Sequence, residues 1–408
     1  MRIPHWTGKI VGLSKNLSTL KHSYRRVAMI KKRMYSPGPV DVSPYTSLEM
    51  ARPIMHHRTK EFESIIAEVV EGLKYVFQTT GDMLLFTSSG TGAMEGAVSN
   101  ILNRDDKAIC VRAGKFGERW SELVARYGGV PVNVDVQWGQ AVDPAAISRI
   151  LKDDPSIRAV YLQACETSTG VVNPIEEVAG IVSQYQDTVL VVDGITAVGV
   201  MSLPVDEWGL DIVVGGSQKA WRLPPGLAFA SVSEKAWGFV ETCSQPRFYF
   251  DWKTERKSLG NNTTAFTPAV SLLYGLRQVL AEIREEGLDA LFARSASYAE
   301  AFRAAMRALG LRLFAPDAPS DSITAVLGPE GMDAGLIIKH LAAKYGVTIA
   351  AGQDDAKGKI FRVSHMGYLD ALDMITVVAA IEMTLKELGQ PIELGAGVKA
   401  AQEVLVHP

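Results

Sequence analysis

From about residue 80 the chain is written as short apolar runs separated by amphipathic stretches, and no other feature constrains its fold as much. The runs are Leu84-Leu85-Phe86, Ala108-Ile109-Cys110-Val111, Ala159-Val160-Tyr161-Leu162, Val189 to Val192 and Asp211-Ile212-Val213-Val214. Unbroken apolar runs of this length fit strands covered on both faces, as in a mostly parallel sheet. Helical candidates lie between them, such as Pro174 to Tyr185, where Pro174 suits a first-turn position. The predicted fold class is α/β.

Near residue 268 the pattern lengthens. Leu273, Leu276, Leu280 and Ile283 recur at steps of three and four, one helix face, with Gly287 as the stop. Tyr298, Phe302, Ala305 and Leu309 mark a second helix ending at Gly310. Two strand candidates follow, Ile323 to Leu327 and Lys359 to Val363. A last helix carries Met374, Val377, Val378, Ile381, Leu385 and Leu388 before Gly389 and Pro391. The expected organisation is an arm over residues 1–33, a large domain over 34–289, a smaller α+β domain over 290–389 and a tail over 390–408.

The arm is distinct in charge. It holds nine Lys or Arg residues (Arg2, Lys9, Lys15, Lys21, Arg25, Arg26, Lys31, Lys32 and Arg33) and no Asp or Glu. Its readings are a loose arm or an upstream extension with translation beginning at Met34, a mitochondrial transit peptide, a nucleic-acid arm, or an arm that docks on a partner subunit. The rest of the chain is acidic and would repel a phosphate backbone, so no nucleic-acid partner is expected. A chain of 408 residues with 47% hydrophobic composition buries a large core, while its longest apolar runs fall far short of the ~20 residues that span a bilayer. Three cysteines (Cys110, Cys165 and Cys243) without CxxC spacing argue against a disulfide framework or a zinc site. The expectation is reduced thiols and a cytoplasmic location.

Three features carry chemistry. Thr87-Ser88-Ser89-Gly90-Thr91-Gly92 follows a strand candidate and opens a helix, so free backbone amides and small hydroxyls could take an anionic phosphate; glycine turns also join strands to helices for purely structural reasons. The spacing Gly90-x-Gly92-x-x-x-Gly96 is not the GxGxxG of a dinucleotide site, and GxxxxGK[ST] is absent. Asp193 ends the run Thr188 to Val192 and would deliver a carboxylate to the carboxyl edge of the sheet, either as a turn or cap residue or as partner to a cationic ring nitrogen. Lys219 lies between an apolar strand and Trp221, followed by Pro224-Pro225-Gly226; it is either a snorkelling lysine or an amine whose lowered pKa favours imine formation. Phosphate grip, ring-nitrogen partner and imine-forming lysine together are what pyridoxal 5'-phosphate (PLP) requires.

On these residues the chain resembles the class V aminotransferases of PLP fold type I, and within them the alanine:glyoxylate and serine:glyoxylate group. The resemblance runs from Tyr35 to Gly389 and rests on Ser89-Gly90-Thr91, Glu166-Thr167-Ser168-Thr169-Gly170, Val192-Asp193, Ser217-Gln218-Lys219-Ala220 and Gly358 to Arg362. It implies a large domain with a mostly parallel sheet and a smaller C-terminal α+β domain. It also implies that Lys219 holds PLP, that Asp193 faces the pyridine nitrogen and that Phe116 stacks on the ring. Ser89, Gly90, Thr91 and Gln218 would grip the phosphate, with Thr167 beside the ring oxygen. Thr267 would complete the phosphate site of a neighbouring copy in a homodimer; Thr264 stands where some members carry a tyrosine. Arg362 would clamp the substrate carboxylate, and Ser36 and Gly38 lie in a loop that passes over the substrate. His56, His57 and His365 show no metal-ligand spacing and read as structural.

The activity so implied is ping-pong transfer of an amino group from alanine, serine or aspartate to a 2-oxo acid such as glyoxylate or pyruvate. One rival is a cysteine desulfurase-like lyase on the same fold, which wants a nucleophilic Cys on a loop and a histidine before the lysine, where Gln218 stands. Another is a non-catalytic partner subunit, against which Lys219, Asp193 and Arg362 speak. A nicotinamide-dependent dehydrogenase is the weakest, for want of its glycine spacing.

Overall fold

The computed structural model describes residues 30–406. Most of the basic arm lies outside the described residues. Its last residue, Arg33, forms with Met34 a short strand parallel to Val347–Thr348.

A seven-stranded sheet dominates: β1 (Asp82–Phe86), β2 (Lys107–Arg112), β3 (Val130–Asp135), β4 (Ile157–Gln163), β5 (Val189–Asp193), β6 (Ile212–Gly216) and β7 (Ala228–Val232). Their spatial order is β1-β7-β6-β5-β4-β2-β3, with β7 antiparallel to both its neighbours and every other pairing parallel. The apolar runs divide at period two between the faces. Met83, Leu85, Ile109, Val111, Leu190 and Val192 enter one core, and Leu84, Phe86, Ala108, Cys110, Val189 and Val191 the other. Burial on both faces is why those strands show no polar alternation.

Helix α1 (Lys60–Phe77), capped by Thr59, packs on α4 (Val270–Glu286). Two further helices begin just past strand ends: α2 (Gly90–Ser99) after β1, and α3 (Lys115–Arg126) after β2. The smaller part is a three-stranded antiparallel sheet of β8 (Ile323–Leu327), β10 (Ile360–Ser364) and β9 (Ala350–Ala351), in that order, covered by α5 (Leu288–Ala308) and α6 (Ala371–Glu387). The expected boundary near residue 289 falls in the first turn of α5. Leu291 of that helix joins the large-sheet core, whereas Tyr298, Phe302 and Met306 join the smaller one. Tyr35, expected with the large domain, is buried in the smaller core instead.

The segment after Gly389 is more than a tail. Helix α7 (Ala396–Val406) packs on α5 and α6 through Gly397 and Ala401; a Cβ on Gly397 would come within 2.9 Å of Glu382 Oε1. Glu382 in turn accepts the Gly395 and Val398 amides at 2.9 Å, which satisfies two orphan donors at the helix start. Among the described residues no helix is long and apolar enough to cross a membrane, and no group of three or more His, Cys, Asp or Glu could hold a metal ion.

Candidate active site

The ends of β1, β5 and β6 meet at the carboxyl edge of the large sheet, where ligands of open α/β folds bind. Asp193 ends β5, in register with Gln163 and Val214, and β6 runs through Gly216 into Ser217-Gln218-Lys219. Glycine permits the approach. A Cβ on Gly216 would lie 3.2 Å from the backbone N and Cα of Gly90, and one on Gly90 would lie 2.5 Å from the Ile195 side chain. The phosphate turn, the Asp193 turn and the lysine loop are thereby pressed together.

The lysine loop is anchored on both sides. Trp221 is fully buried, 5.9 Å from Phe77 and 5.0 Å from Phe229 between ring centroids. The Ser217 hydroxyl donates to the Pro224 carbonyl at 2.7 Å and accepts the Leu227 amide at 3.1 Å, fixing the proline turn. Arg222 takes a left-handed conformation, φ 52°, and its N–H donates to the Lys219 carbonyl at 3.0 Å.

Lys219 and Asp193 perturb one another without forming a contact ion pair. Burial pushes the Lys219 ammonium down to about 8; Asp193 opposes the shift, and Arg362 and Arg119 add to it. Burial pushes the Asp193 carboxyl up to about 7, partly offset by the Ile195 amide, which donates to Asp193 Oδ1 at 2.9 Å. Each group is thus driven toward its neutral form, as a depressed amine and a carboxylate awaiting a cation would be. The Lys219 amine meets the Pro37 carbonyl, and Gly38 sits over it at φ 126°; a Cβ there would lie 2.6 Å from Nζ. Ser36 is turned into its own loop, its hydroxyl donating to the Pro39 carbonyl at 2.8 Å.

Phe116 lies in the first turn of α3, and Glu166 fixes that turn. The buried Glu166 carboxylate accepts the Gly117 amide at 2.9 Å, the Phe116 amide at 3.3 Å, and both the Ser168 amide and hydroxyl, at 3.1 and 2.6 Å. Thr167 is therefore carried next to Phe116; its hydroxyl shares a 3.0 Å bond with Thr196. On the smaller sheet, Arg362 is 5% exposed and spanned by backbone carbonyls: Nε and Nη2 donate to Ala351 O at 3.0 and 2.7 Å, and Nη1 donates to Thr167 O at 2.6 Å. A guanidinium has five N–H groups, so two remain, the number one carboxylate can accept. Thr267 is exposed and makes no hydrogen bond to Ser89, Thr91 or Gln218 among the described residues, whereas Thr264 is buried, its hydroxyl donating to the Phe266 carbonyl at 2.6 Å. His365 is a structural residue, buried and bonded through Nε2 to Thr324 at 2.8 Å, and burial lowers its pKa to about 3.

Residues 43–374 match the family model described as aminotransferase class V. The chain belongs to the class V aminotransferases. Among its relatives, the small subunit of a soluble hydrogenase from Synechococcus sp. is 40% identical over 92% of this chain and 98% of its own length. The L-aspartate--glyoxylate aminotransferase of Paracoccus denitrificans is 38% identical over 91% of this chain and 95% of its own. The solved structure of ureidoglycine-glyoxylate aminotransferase from Bacillus subtilis superposes with a TM-score of 0.88 at 28% identity, covering 94% of this chain and 100% of that one. The α/β fold with a large, mostly parallel sheet is the fold of these enzymes, as expected from the sequence.

The class V aminotransferases are PLP enzymes, and the residues present fit that group. Gln218 Oε1 is buried without a partner, Asp193 keeps one oxygen free of hydrogen bonds, and Ser89 caps α2 by position without a side-chain bond. A buried polar atom left open, with a carboxylate oxygen and an exposed hydroxyl that make no hydrogen bond beside it, is what a polar cofactor would satisfy at a glycine-lined cradle. Two residues of the site escaped sequence reasoning. Glu166 was visible only as part of a motif, although an acid inside an otherwise small, hydroxylated run was a signal. Arg119, which donates to the Thr91 hydroxyl at 3.1 Å, belongs to none of the motifs.

Proposed function

We propose that this aminotransferase binds PLP through Lys219 and transfers the amino group of a small amino acid (alanine, serine or aspartate) to a 2-oxo acid such as glyoxylate or pyruvate, by a ping-pong cycle. The observation that carries the reading is the pairing of Lys219, held down to about 8, with a buried Asp193 that it does not touch, beside the open first turn of α2. When bound, the cofactor supplies an aldehyde carbon that amines condense with and a ring that withdraws electrons from the donor's α carbon.

The chain's residues do the rest. Near neutral pH a useful share of Lys219 is the neutral amine, competent as nucleophile and then as a base that takes the proton from the donor's α carbon and gives it up again. Asp193, in a site of low polarity, favours a cation opposite it and so keeps the ring nitrogen protonated. Arg362 orients the donor through its two open N–H groups, while Ala351 and Thr167 hold the guanidinium plane. Ser89, Gly90, Thr91 and Gln218 are assigned to the phosphate, Phe116 to the ring face and Thr167 to the ring oxygen. Ser36 and Gly38 belong to a loop over the lysine.

A second copy of the chain is part of the reading. The reading that Thr267 serves a partner's phosphate site is supported by its exposure beside an aromatic cluster, with Phe248 80% exposed and 5.4 Å from Phe266. The three cysteines, all free and buried, support a reducing compartment, the cytoplasm or, should residues 1–33 be a transit peptide, the mitochondrion. The desulfurase reading loses its nucleophile, since Cys243 lies buried against the Ser99 and Leu102 carbonyls.

The test is direct. Alanine, serine and aspartate are each offered with glyoxylate, pyruvate or 2-oxoglutarate, and the amino acid formed is measured. A yellow protein that bleaches with donor alone and recovers with oxo acid supports the proposal. A protein that takes up no PLP, or releases sulfide from cysteine faster than it transaminates, overturns it.

A further inference from the structure

We propose that Arg119 is a cofactor-binding residue: its guanidinium supplies positive charge to the phosphate end of the cofactor. The inference rests on the reading of Lys219 as a PLP lysine and adds a contact that none of the motifs announces.

Arg119 stands three residues after Phe116 on α3, so the two side chains share one helix face. Its Cζ lies 4.9 Å from the centre of the Phe116 ring, and its Nη1 donates to Thr91 Oγ1 at 3.1 Å. One side chain thus links the ring assigned to stack on the cofactor with the first turn of α2, where the phosphate is assigned. Neighbouring cations on this edge are neutralised by acids: Lys115 by Glu118 and Asp354, and Arg112 by Asp135. Arg119 forms no ion pair among the described residues, and only one of its five donors is used.

Its position is electrostatically unfavourable as it stands. The start of a helix carries partial positive charge, so a guanidinium at the first turn of α2 is repelled by the amides it approaches. An anion between them removes that repulsion and gains hydrogen bonds from both, and a phosphate, with three terminal oxygens, can take the amides and the guanidinium at once. The charge is felt across the site, where Arg119 pulls down the pKa values of both Asp193 and Lys219.

The experiment compares two ligands that differ only in phosphate. Apoprotein, as wild type, Arg119→Gln and Arg119→Lys, is titrated with PLP and with pyridoxal, following quenching of tryptophan fluorescence. Arg119→Gln should weaken PLP binding by about tenfold to a hundredfold, the scale of a hydrogen bond to a charged group, and change pyridoxal binding by less than about twofold. Arg119→Lys should lie between, because it keeps the charge and loses the fork. Should Arg119→Gln not fold, Arg119→Lys must by itself show a loss for PLP that pyridoxal does not share. Unchanged PLP affinity overturns the inference. Equal losses for both ligands also overturn it, by assigning Arg119 to Phe116 and the ring. A KM rise confined to aspartate, with PLP affinity intact, overturns it in favour of a substrate's second carboxylate. Wild type that binds neither ligand defeats the cofactor reading itself, a different failure.

Discussion

The two ends of the site are built on different foundations. Asp193 and Lys219 follow strands whose side chains are buried on both faces, and what defines them is burial and each other's charge. Arg362 belongs to the three-stranded sheet, and what defines it is hydrogen-bond geometry, with the carbonyl of Ala351 on one side and that of Thr167 on the other. The difference separates chemistry from recognition. Moving Asp193 or Lys219 would mean rebuilding the large two-faced core, whereas the strand of Arg362 is buried in the separate, smaller core, and its guanidinium is set by the Ala351 turn, where a change would alter which amino acid fits.

The largest effect should come from the chemical end. Lys219→Ala should keep the fold by circular dichroism but lose turnover on the order of 10⁴-fold or more, since nucleophile and proton carrier disappear together. Ordinary transamination by this variant would break the comparison at its root. At the recognition end Arg362→Lys should raise KM for donor and acceptor by about tenfold to a hundredfold and leave PLP affinity unchanged. An ammonium cannot serve Ala351, Thr167 and a carboxylate in one plane.

Stability should also distinguish the ends, because burial lowers Arg362 only to about 10, whereas the two groups of the chemical end titrate close to neutral pH. The folded-state value of Asp193, about 7, lies above the unfolded 3.8, so the native apoprotein binds more protons between those values and loses stability as pH rises through that window. The folded-state value of Lys219, about 8, lies below 10.5, so the native state binds fewer protons there and stability returns as pH rises from 8 to 10.5. Together they place a trough between about pH 7 and 8, on the order of a few kcal/mol deep. Urea denaturation of apoprotein across pH should show the trough in wild type and a shallower acid side in Asp193→Asn, where Glu255, which burial also raises to about 7, supplies the part that remains. Identical curves for the two proteins would contradict the burial argument.

The chemical end was also the more legible in the sequence. Asp193 and Lys219 sit at the ends of apolar runs too short and continuous to be anything but buried strands, so their placement at the sheet edge followed from local pattern. Glu166 and Arg119 could not be found that way, because their meaning depends on partners 49 and 28 residues distant, Gly117 and Thr91. Helix α7 escaped because the residues it buries most fully, Gly397 and Ala401, are small, and Val398, Val404 and Leu405 beside them are only partly buried. The strand Arg33–Met34 is too short to show periodicity, so Tyr35 could not be assigned to the smaller core.

The smallest prediction tests whether the recognition end is as local as its geometry suggests. Lys115, beside Phe116, reaches Asp354 Oδ2 at 2.9 Å, and Asp354 stands three residues past Ala351, in a left-handed conformation at φ 42°. That ion pair crosses from the large sheet to the turn that positions Arg362. Both side chains are substantially solvated, at 36% and 52% exposed, so the pair is weak and is screened by salt. Lys115→Met should therefore raise KM only about twofold to fivefold in dilute buffer, leave PLP affinity unchanged, and lose most of its effect near 1 M salt. A KM rise as large as that of Arg362→Lys, or one indifferent to salt, would mean that the turn is held by packing across the two sheets, and the recognition end would then be as rigid as the chemical one.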